Sequence, residues 1–213
     1  MKWTPACLLC VALVACSSGQ QIRGTDRGAV LPAVRATFAL REPRQVPARG
    51  LAFEPAIEVG TEHVGGDFGQ GDYRADTFHL AFAPEFSWRD VCLQPLVGLA
   101  YAEVVADAPL PVPLPAPGLR ADDQDLGGTL GLAASWRGWS LAWPCVRFAS
   151  TGGRDIRVGR FEVGVDLRAT DVLGISVAYA RQTSEVETVG RFIGAVGARI
   201  ETEGLHLGLS LRF

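Results

Sequence analysis

The sequence is poor in lysine and histidine, and both shortages limit what the protein can bind. Lys2 is the only lysine among 213 residues, and the formal net charge is −3. Binding to nucleic acid requires clustered Lys and Arg that neutralise phosphates, so we expect no nucleic-acid partner. The three histidines, His63, His79 and His206, lack a second zinc ligand at a suitable spacing, so we expect no metal site and no cofactor.

Cysteines and long apolar runs are also scarce. Cys7, Cys10 and Cys16 lie near the N-terminus, which leaves only Cys92 and Cys145 to pair in an oxidising compartment. A disulfide-rich scaffold is therefore excluded. After Cys16 every apolar stretch is interrupted by Pro, Gly or a charge before the roughly 20 residues that a membrane-spanning helix needs. With 48% hydrophobic residues and 25 Gly, the chain nevertheless has the composition of an ordered protein, and we expect one domain.

The N-terminus has the layout of an export signal. Lys2 precedes the apolar residues 6–16, as in secretory signal peptides. Leu13-Val14-Ala15-Cys16 resembles the bacterial lipobox, in which small residues precede a Cys that becomes the acylated first residue. We therefore predict a lipoprotein-type signal peptide at residues 1–15 and a lipid anchor at Cys16, with ordinary cleavage near Ala15 as the alternative.

The C-terminal residues alternate without a break. Leu205, Leu207, Leu209, Leu211 and Phe213 occupy one face of a predicted strand, and His206, Gly208, Ser210 and Arg212 occupy the other. A final strand of this kind with a terminal aromatic residue resembles the assembly signal of Gram-negative outer-membrane β-barrels. The resemblance implies the cell outer membrane as the location, and the barrel-assembly machinery, membrane lipids and lipopolysaccharide as partners.

Other segments alternate in the same way, with apolar residues on one face and small or polar residues on the other, as in transmembrane β-strands. These segments are residues 51–59, 78–88, 97–102, 129–143, 160–168 and 173–179. We predict an all-β fold, an antiparallel up-and-down transmembrane β-barrel. A soluble β-sandwich is the alternative, although its outer face would be polar.

The lengths of the predicted connections suggest the number of strands. Short turns at 89–90, 137–138 and 169–171 alternate with long loops at 61–75, 105–125, 150–157 and 184–202. Outer-membrane barrels place short turns in the periplasm and long loops outside. This alternation predicts eight strands within residues 51–213, or ten if residues 34–40 and 191–200 are also strands. Residues 16–50 are then a lipidated periplasmic tether or a first strand.

A barrel of eight strands is just wide enough for side chains to fill its interior, so we expect no channel. The predicted lumen contains a polar cluster of His79, Arg160, Glu162 and His206 at its outer end. Buried charges must be paired, and we therefore interpret this cluster as structural ion pairs, with a ligand site as the alternative. Aromatic residues are predicted to form two girdles. Phe53, Phe86, Trp88, Trp136, Trp139 and Phe213 lie at the periplasmic rim, and Phe78, Tyr101, Phe161 and Tyr179 at the outer rim.

The order of motifs resembles the lipid A 3-O-deacylase barrels. The resemblance rests on Phe78-His79-Leu80-Ala81-Phe82-Ala83-Pro84-Glu85-Phe86, then Gln94-Pro95-Leu96-Val97-Gly98-Leu99-Ala100, then a Gly-rich strand with a tight turn. That family has a His-x-Ser-Asn catalytic motif on the next strand, where this chain has Arg147-Phe148-Ala149-Ser150. The catalytic His and Ser are both missing, and only a pair across strands, such as His206 with Ser176, could replace them.

The sequence therefore favours a non-enzymatic outer-membrane barrel with a structural role, or with a binding role for its outer loops toward an extracellular ligand. The alternative is a deacylase-like outer-membrane hydrolase whose active site is rearranged or lost. We predict no catalytic residues.

Overall fold

The computed structural model describes residues 20–40, 50–69, 71–108, 119–190 and 194–213. The predicted signal peptide, Cys16 and residues 109–118 of the loop predicted at 105–125 lie outside these ranges. Within them the regular elements are all β-strands: β1 (Gln20–Ala39), β2 (Leu51–Glu54), β3 (Ala56–Phe68), β4 (Gly71–Phe82), β5 (Glu85–Trp88), β6 (Val91–Ala108), β7 (Leu119–Trp136), β8 (Ala142–Gly152), β9 (Ile156–Arg168), β10 (Leu173–Gly190) and β11 (Gly194–Arg212). The described residues include no helix that is long and apolar enough to cross a bilayer.

Nine of the strands close into a ring in which each is hydrogen-bonded to two neighbours. The order is β6-β4-β3-β1-β11-β10-β9-β8-β7, and β7 pairs with β6 to complete the barrel. The short strands β2 and β5 extend β3 and β4 beyond breaks at Pro55 and Pro84, where proline cannot donate a backbone hydrogen bond. They pair with each other beside β6. The predicted all-β barrel is confirmed.

The number of strands differs from the predicted eight, and also from the alternative of ten. The additional strand is β1, which occupies the segment for which a tether or a first strand was predicted. Residues 194–200 form no separate strand, because they are the beginning of β11. Neighbouring strands in sequence run antiparallel, so an odd number leaves the first and last strands pointing the same way. Accordingly, β1 and β11 pair in parallel.

The two ends of the barrel have different connections. We call the end with the connections at 40–50, 89–90, 137–141 and 169–172 the base, and the opposite end, where β1 begins, the head. The loops predicted at 61–75 and 184–202 are wrong, and so is the loop predicted at 105–125 in its described residues, 105–108 and 119–125, which belong to β6 and β7. The first two segments have a common explanation. They are the tips of the β3–β4 and β10–β11 hairpins, which remain paired as far as Phe68 and Gly190.

In the head the ring separates into two facing sheets. β1 pairs with β3 only through residues 33–39, and β7 pairs with β8 only through residues 128–135. Beyond these points β3, β4, β6 and β7 form one sheet, and β9, β10, β11 and β1 form the other. Their facing side chains make one hydrophobic core, which includes Val64, Tyr73, Val104, Ile22, Leu31, Ile156, Val186 and Ile200. The head therefore has the architecture of a β-sandwich.

The parallel seam between β1 and β11 contains a close backbone contact. Gly28, with φ +96°, lies at a shift of register between Arg27 and Ala29. This bulge brings the Ala29 carbonyl oxygen to within 1.9 Å of the position that a Cβ at Gly204 would occupy. Only glycine fits at Gly204 while the seam keeps this geometry.

We expect Gly204→Ala to lower the free energy of unfolding by about 1–3 kcal/mol, because the added methyl group forces the seam apart. Gly159→Ala is the matched control, since no atom lies within 4 Å of the position of its added Cβ. Urea unfolding followed by tryptophan fluorescence measures both variants. Equal urea midpoints for the two variants would contradict the close backbone contact between β1 and β11.

Candidate functional site: the charged lumen and the apolar band

A network of buried ion pairs occupies the interior between the head core and the base. Arg160 contacts Glu162 at 2.5 Å and Glu62 at 2.9 Å. Arg35 contacts Glu62 at 2.9 Å and Glu162 at 3.1 Å. Arg147 adds a contact to Glu162 at 3.7 Å. The Glu162 side chain is only 2% exposed, so three guanidinium groups surround one fully buried carboxylate.

The structure brings together three members of the predicted polar cluster. His206 is fully buried, with Nδ1 3.7 Å from Glu162 Oε1, and it contacts Arg160. The same nitrogen donates a hydrogen bond to the Leu31 carbonyl at 2.9 Å, which ties the network to the head core. His79 lies elsewhere in the lumen and pairs with Glu58 at 3.1 Å, where Gly60 on the neighbouring strand leaves room for its ring.

Sequence reasoning missed three members of this network. Sequence reasoning placed Arg35 in a tether or first strand and Glu62 in a loop. It placed Arg147 where the deacylase family has the histidine of its catalytic motif. Arg35 bonds residues 27 and 127 positions away in the chain. No local spacing could have indicated such partners.

A cavity of about 200 Å³ lies on the base side of the network. Its wall on β6, β7 and β8 consists largely of small inward residues, including Thr129, Gly131, Ala133, Ser135 and Ala149. Their small size leaves a space that the long Arg and Glu side chains of the opposite wall fill only in part. The cavity extends to the turn residues Thr170 and Asp171 at the base, whereas the hydrophobic core closes the head. The lumen is therefore a charged pocket with one closed end.

Further ion pairs line the base of the pocket. Glu85 accepts two hydrogen bonds from Arg137, at 2.5 Å and 2.7 Å, and one from Arg212 at 2.6 Å. The Trp143 ring packs against the guanidinium groups of Arg137 and Arg168, whose central carbons lie 4.6 Å and 5.7 Å from the ring centroid. These contacts fix the long arginine side chains at the rim.

The suggested pair of His206 and Ser176 does not form a nucleophile with its base. Ser176 and His206 lie on the adjacent strands β10 and β11, but the Ser176 hydroxyl donates to Asp166 at 2.7 Å. Asp166 also pairs with Arg147. Ser176 is thus a hydrogen-bonding partner within the ionic network.

The two cysteines among the described residues, Cys92 and Cys145, are both free and buried, so the one pairing that the sequence left open does not form. Cys92 on β6 and Cys145 on β8 both lie opposite Ser135 of β7, which is the strand between them. Two strand spacings separate them by about 10 Å, which is beyond the Cα separation that a disulfide allows. Among the described residues no group of three or more His, Cys, Asp or Glu could hold a metal ion.

The outer surface near the base is a continuous apolar band. Its exposed side chains include Val34, Phe53, Leu80, Leu99, Leu130, Phe148, Val163, Ile175, Leu207 and Leu209. Leu126 and Trp136 mark its limits on β7 and are ten residues apart. This corresponds to about 33 Å along a strand and about 25 Å along the axis of a barrel whose strands tilt by about 40°.

Aromatic residues lie at both edges of the band. At the base, Phe38 stacks on Phe213 with ring centroids 5.3 Å apart, and Trp136 meets Trp139 edge to face at 5.3 Å. At the head edge, the hydroxyl of Tyr101 donates to Gln124 at 2.7 Å, and that of Tyr179 donates to Glu203 at 3.1 Å. Each of these tyrosines has its ring in the band and its hydroxyl at the polar surface beyond.

Beyond the tyrosines the outer surface changes to charged residues. Arg181 pairs with Glu201 at 2.9 Å, and Arg199 pairs with Glu185 at 3.0 Å. At this level the interior changes in the opposite sense, from the ionic lumen to the hydrophobic core. Polarity inside and outside the barrel is thus exchanged at one height along its axis.

The C-terminal strand follows this arrangement. Leu205, Leu207, Leu209 and Phe213 are exposed in the band, with Leu211 partly covered, while His206 is buried inside. The alternating strand predicted from residue 205 onward is therefore present with its apolar face outward.

Comparisons of the chain with protein-family models, with curated proteins and with solved structures find no match.

Proposed function

We propose that the protein is an integral β-barrel of the bacterial outer membrane, with the apolar band in the bilayer, the base toward the periplasm and the head outside the cell. The observation that carries this proposal is the exchange of polarity at one height along the barrel axis. There the outer surface changes from apolar to charged, and the interior changes from ionic to hydrophobic. A protein surrounded by water hides its apolar side chains along its whole length, as the head does. An apolar exterior around a charged interior is the arrangement that hydrocarbon surroundings favour.

The dimensions of the band support the same placement. Its height of about 25 Å matches the apolar band of outer-membrane barrels, and the aromatic residues at both edges match their girdles. The predicted signal peptide, the predicted acylation of Cys16 and the terminal Phe213 agree with export and with insertion by the barrel-assembly machinery. Membrane lipids and lipopolysaccharide would surround the band.

We assign the protein a non-enzymatic role, either structural or in binding through its head. The hydrophobic core closes one end of the lumen, and Ser176 is committed to Asp166. Solutes therefore have no path through the barrel, and the suggested serine has no histidine to activate it. The head holds the surface that an extracellular ligand would meet.

Reconstitution into planar bilayers tests the closed lumen. We expect the folded protein, identified by a gel mobility that changes on heating, to give no conductance above that of protein-free bilayers. Steady single-channel currents would contradict the closure. Lipid A from cells that express the protein should keep its mass, and loss of one acyl chain would overturn the non-enzymatic assignment.

A further inference from the structure

The first outward row of side chains beyond the apolar band is basic on one side of the head. Outward residues of β1, β11 and β10 lie opposite one another in rows across the sheet. The last apolar row on these strands consists of Val30, Leu205 and Tyr179. The next row toward the head consists of Arg27, Glu203 and Arg181. Two arginines therefore flank a single carboxylate directly beyond the band.

The carboxylate of this row does not neutralise Arg27. One oxygen of Glu203 pairs with Arg181 Nε at 3.4 Å, and the other accepts a hydrogen bond from the Tyr179 hydroxyl at 3.1 Å. Arg27 itself is exposed, and with the residues that the structure describes it forms no hydrogen bond and no ion pair. Its guanidinium group therefore has all its N–H donors free for an anion from outside the chain.

The bulge at Gly28 gives Arg27 this position. The register between β1 and β11 shifts between Arg27 and Ala29, because β1 has one extra residue there. As a result Arg27 and Val30 both face outward, while Ala29 and Leu31 are buried. In a regular strand the alternation that turns Arg27 outward would also turn Ala29 and Leu31 outward. The bulge thus places a guanidinium group at the edge of the band and keeps the head core closed beside it.

We infer that Arg27 binds a phosphate group of a lipid headgroup in the leaflet on the head side. Glu203, opposite Arg27, is two residues beyond Leu205, which is about 7 Å along the strand and about 5 Å along the barrel axis. The polar layer on each side of the hydrocarbon is about 5–7 Å thick, so this row lies among the headgroups. A guanidinium group binds phosphate through two parallel hydrogen bonds, which gives both affinity and orientation.

The other sheet of the head has the opposite charge at this level. Beyond its last apolar residues, the first outward row consists of His63, Asp76, Glu103 and Gln124. This row has two carboxylates and no arginine, and carboxylates repel lipid phosphates. We therefore expect the bound lipid on the side of β1. Because the proposed function places the head outside the cell, the inference rests on that proposal and identifies the phosphates as those of lipid A.

Native mass spectrometry of the folded protein with lipid A tests the inference. The protein in a non-ionic detergent is titrated with lipid A that carries its phosphates and with the same lipid after enzymatic dephosphorylation. Arg27→Gln is compared with Arg23→Gln, which removes the same charge from the same outer face of β1 but about 10 Å further from the band along the barrel axis. Flotation with phosphatidylcholine vesicles checks separately that the band enters a bilayer.

We expect the unmodified protein to prefer the phosphorylated lipid, and Arg27→Gln to weaken its binding about five-fold, the contribution of one arginine near an anionic membrane surface. Arg23→Gln should weaken it by no more than about two-fold, because salt screens a charge at that distance. Unchanged binding by Arg27→Gln, equal losses in the two variants, equal binding of the two lipids, or displacement of lipid A by millimolar inorganic phosphate would overturn the inference while leaving the membrane barrel intact. Failure to float with the vesicles would instead overturn the proposed membrane placement, and the inference with it.

Discussion

Replacing Ile175 by arginine is expected to destabilise the membrane-inserted barrel by about 2–4 kcal/mol, the penalty for an arginine on the lipid-facing surface near the bilayer centre. Ile175 is 43% exposed and lies between Leu209 and Leu167 on the neighbouring strands. It lies about midway between Val172, which is exposed just before β10, and Tyr179 at the head edge of the band. Urea titration of the protein in lipid vesicles measures the change.

Thr183→Arg is the matched control for this prediction. Thr183 lies on the same strand and the same outer face, but beyond Tyr179, and it pairs across the sheet with Glu201. An arginine there meets water and a carboxylate, so we expect a change of no more than about 0.5 kcal/mol. Equal losses in the two variants would mean that lipid does not surround the band.

Glu162→Leu is expected to lower the free energy of unfolding by about 3–5 kcal/mol, because it removes one of the two carboxylates that neutralise the buried guanidinium groups of Arg160 and Arg35. Arg160 and Arg35 lie 2.5 Å and 3.1 Å from Glu162, and their side chains are 3% and 14% exposed. The remaining carboxylate, Glu62, cannot neutralise both. The change is measured by the same urea titration.

The control for Glu162→Leu is Asp171→Ala, which removes an ion pair at the surface. The Asp171 side chain is 91% exposed in its pair with Arg168, and exposed pairs contribute no more than about 1 kcal/mol. A loss for Glu162→Leu as small as that for Asp171→Ala would show that the lumen is hydrated and that its charges need no partners.

Sequence reasoning succeeded where one rule held over a whole segment. The alternation from Leu205 to Phe213, with apolar residues outward, was readable because each outward residue of the band is apolar. It failed in the head, where the same strands continue but the apolar residues point inward. On β10 the outward residues change from Val177 and Tyr179 to Arg181, while Val186 is buried. A search for apolar-out segments therefore ended its strands at this change and assigned loops.

The first strand and the ionic network could not be predicted for a different reason. β1 alternates weakly, since Gly24 and Asp26 occupy inward positions, where Asp26 accepts a hydrogen bond from the hydroxyl of Tyr73 at 3.2 Å. The lumen cluster was predicted in part, because Arg160, Glu162 and His206 lie on strands that sequence reasoning did recognise. Arg35 and Glu62 join them only through strand pairings between distant segments.

Spin labels along the outer face of β11 provide the most direct test of the membrane placement. The labelled positions are 199, 201, 203, 205, 207, 209 and 211, one variant for each, in reconstituted vesicles. We predict that labels from 205 onward collide with oxygen dissolved in lipid, that labels up to 203 collide with a water-soluble nickel complex, and that the change falls between Glu203 and Leu205. Preference for the nickel complex at all seven positions would contradict the membrane barrel.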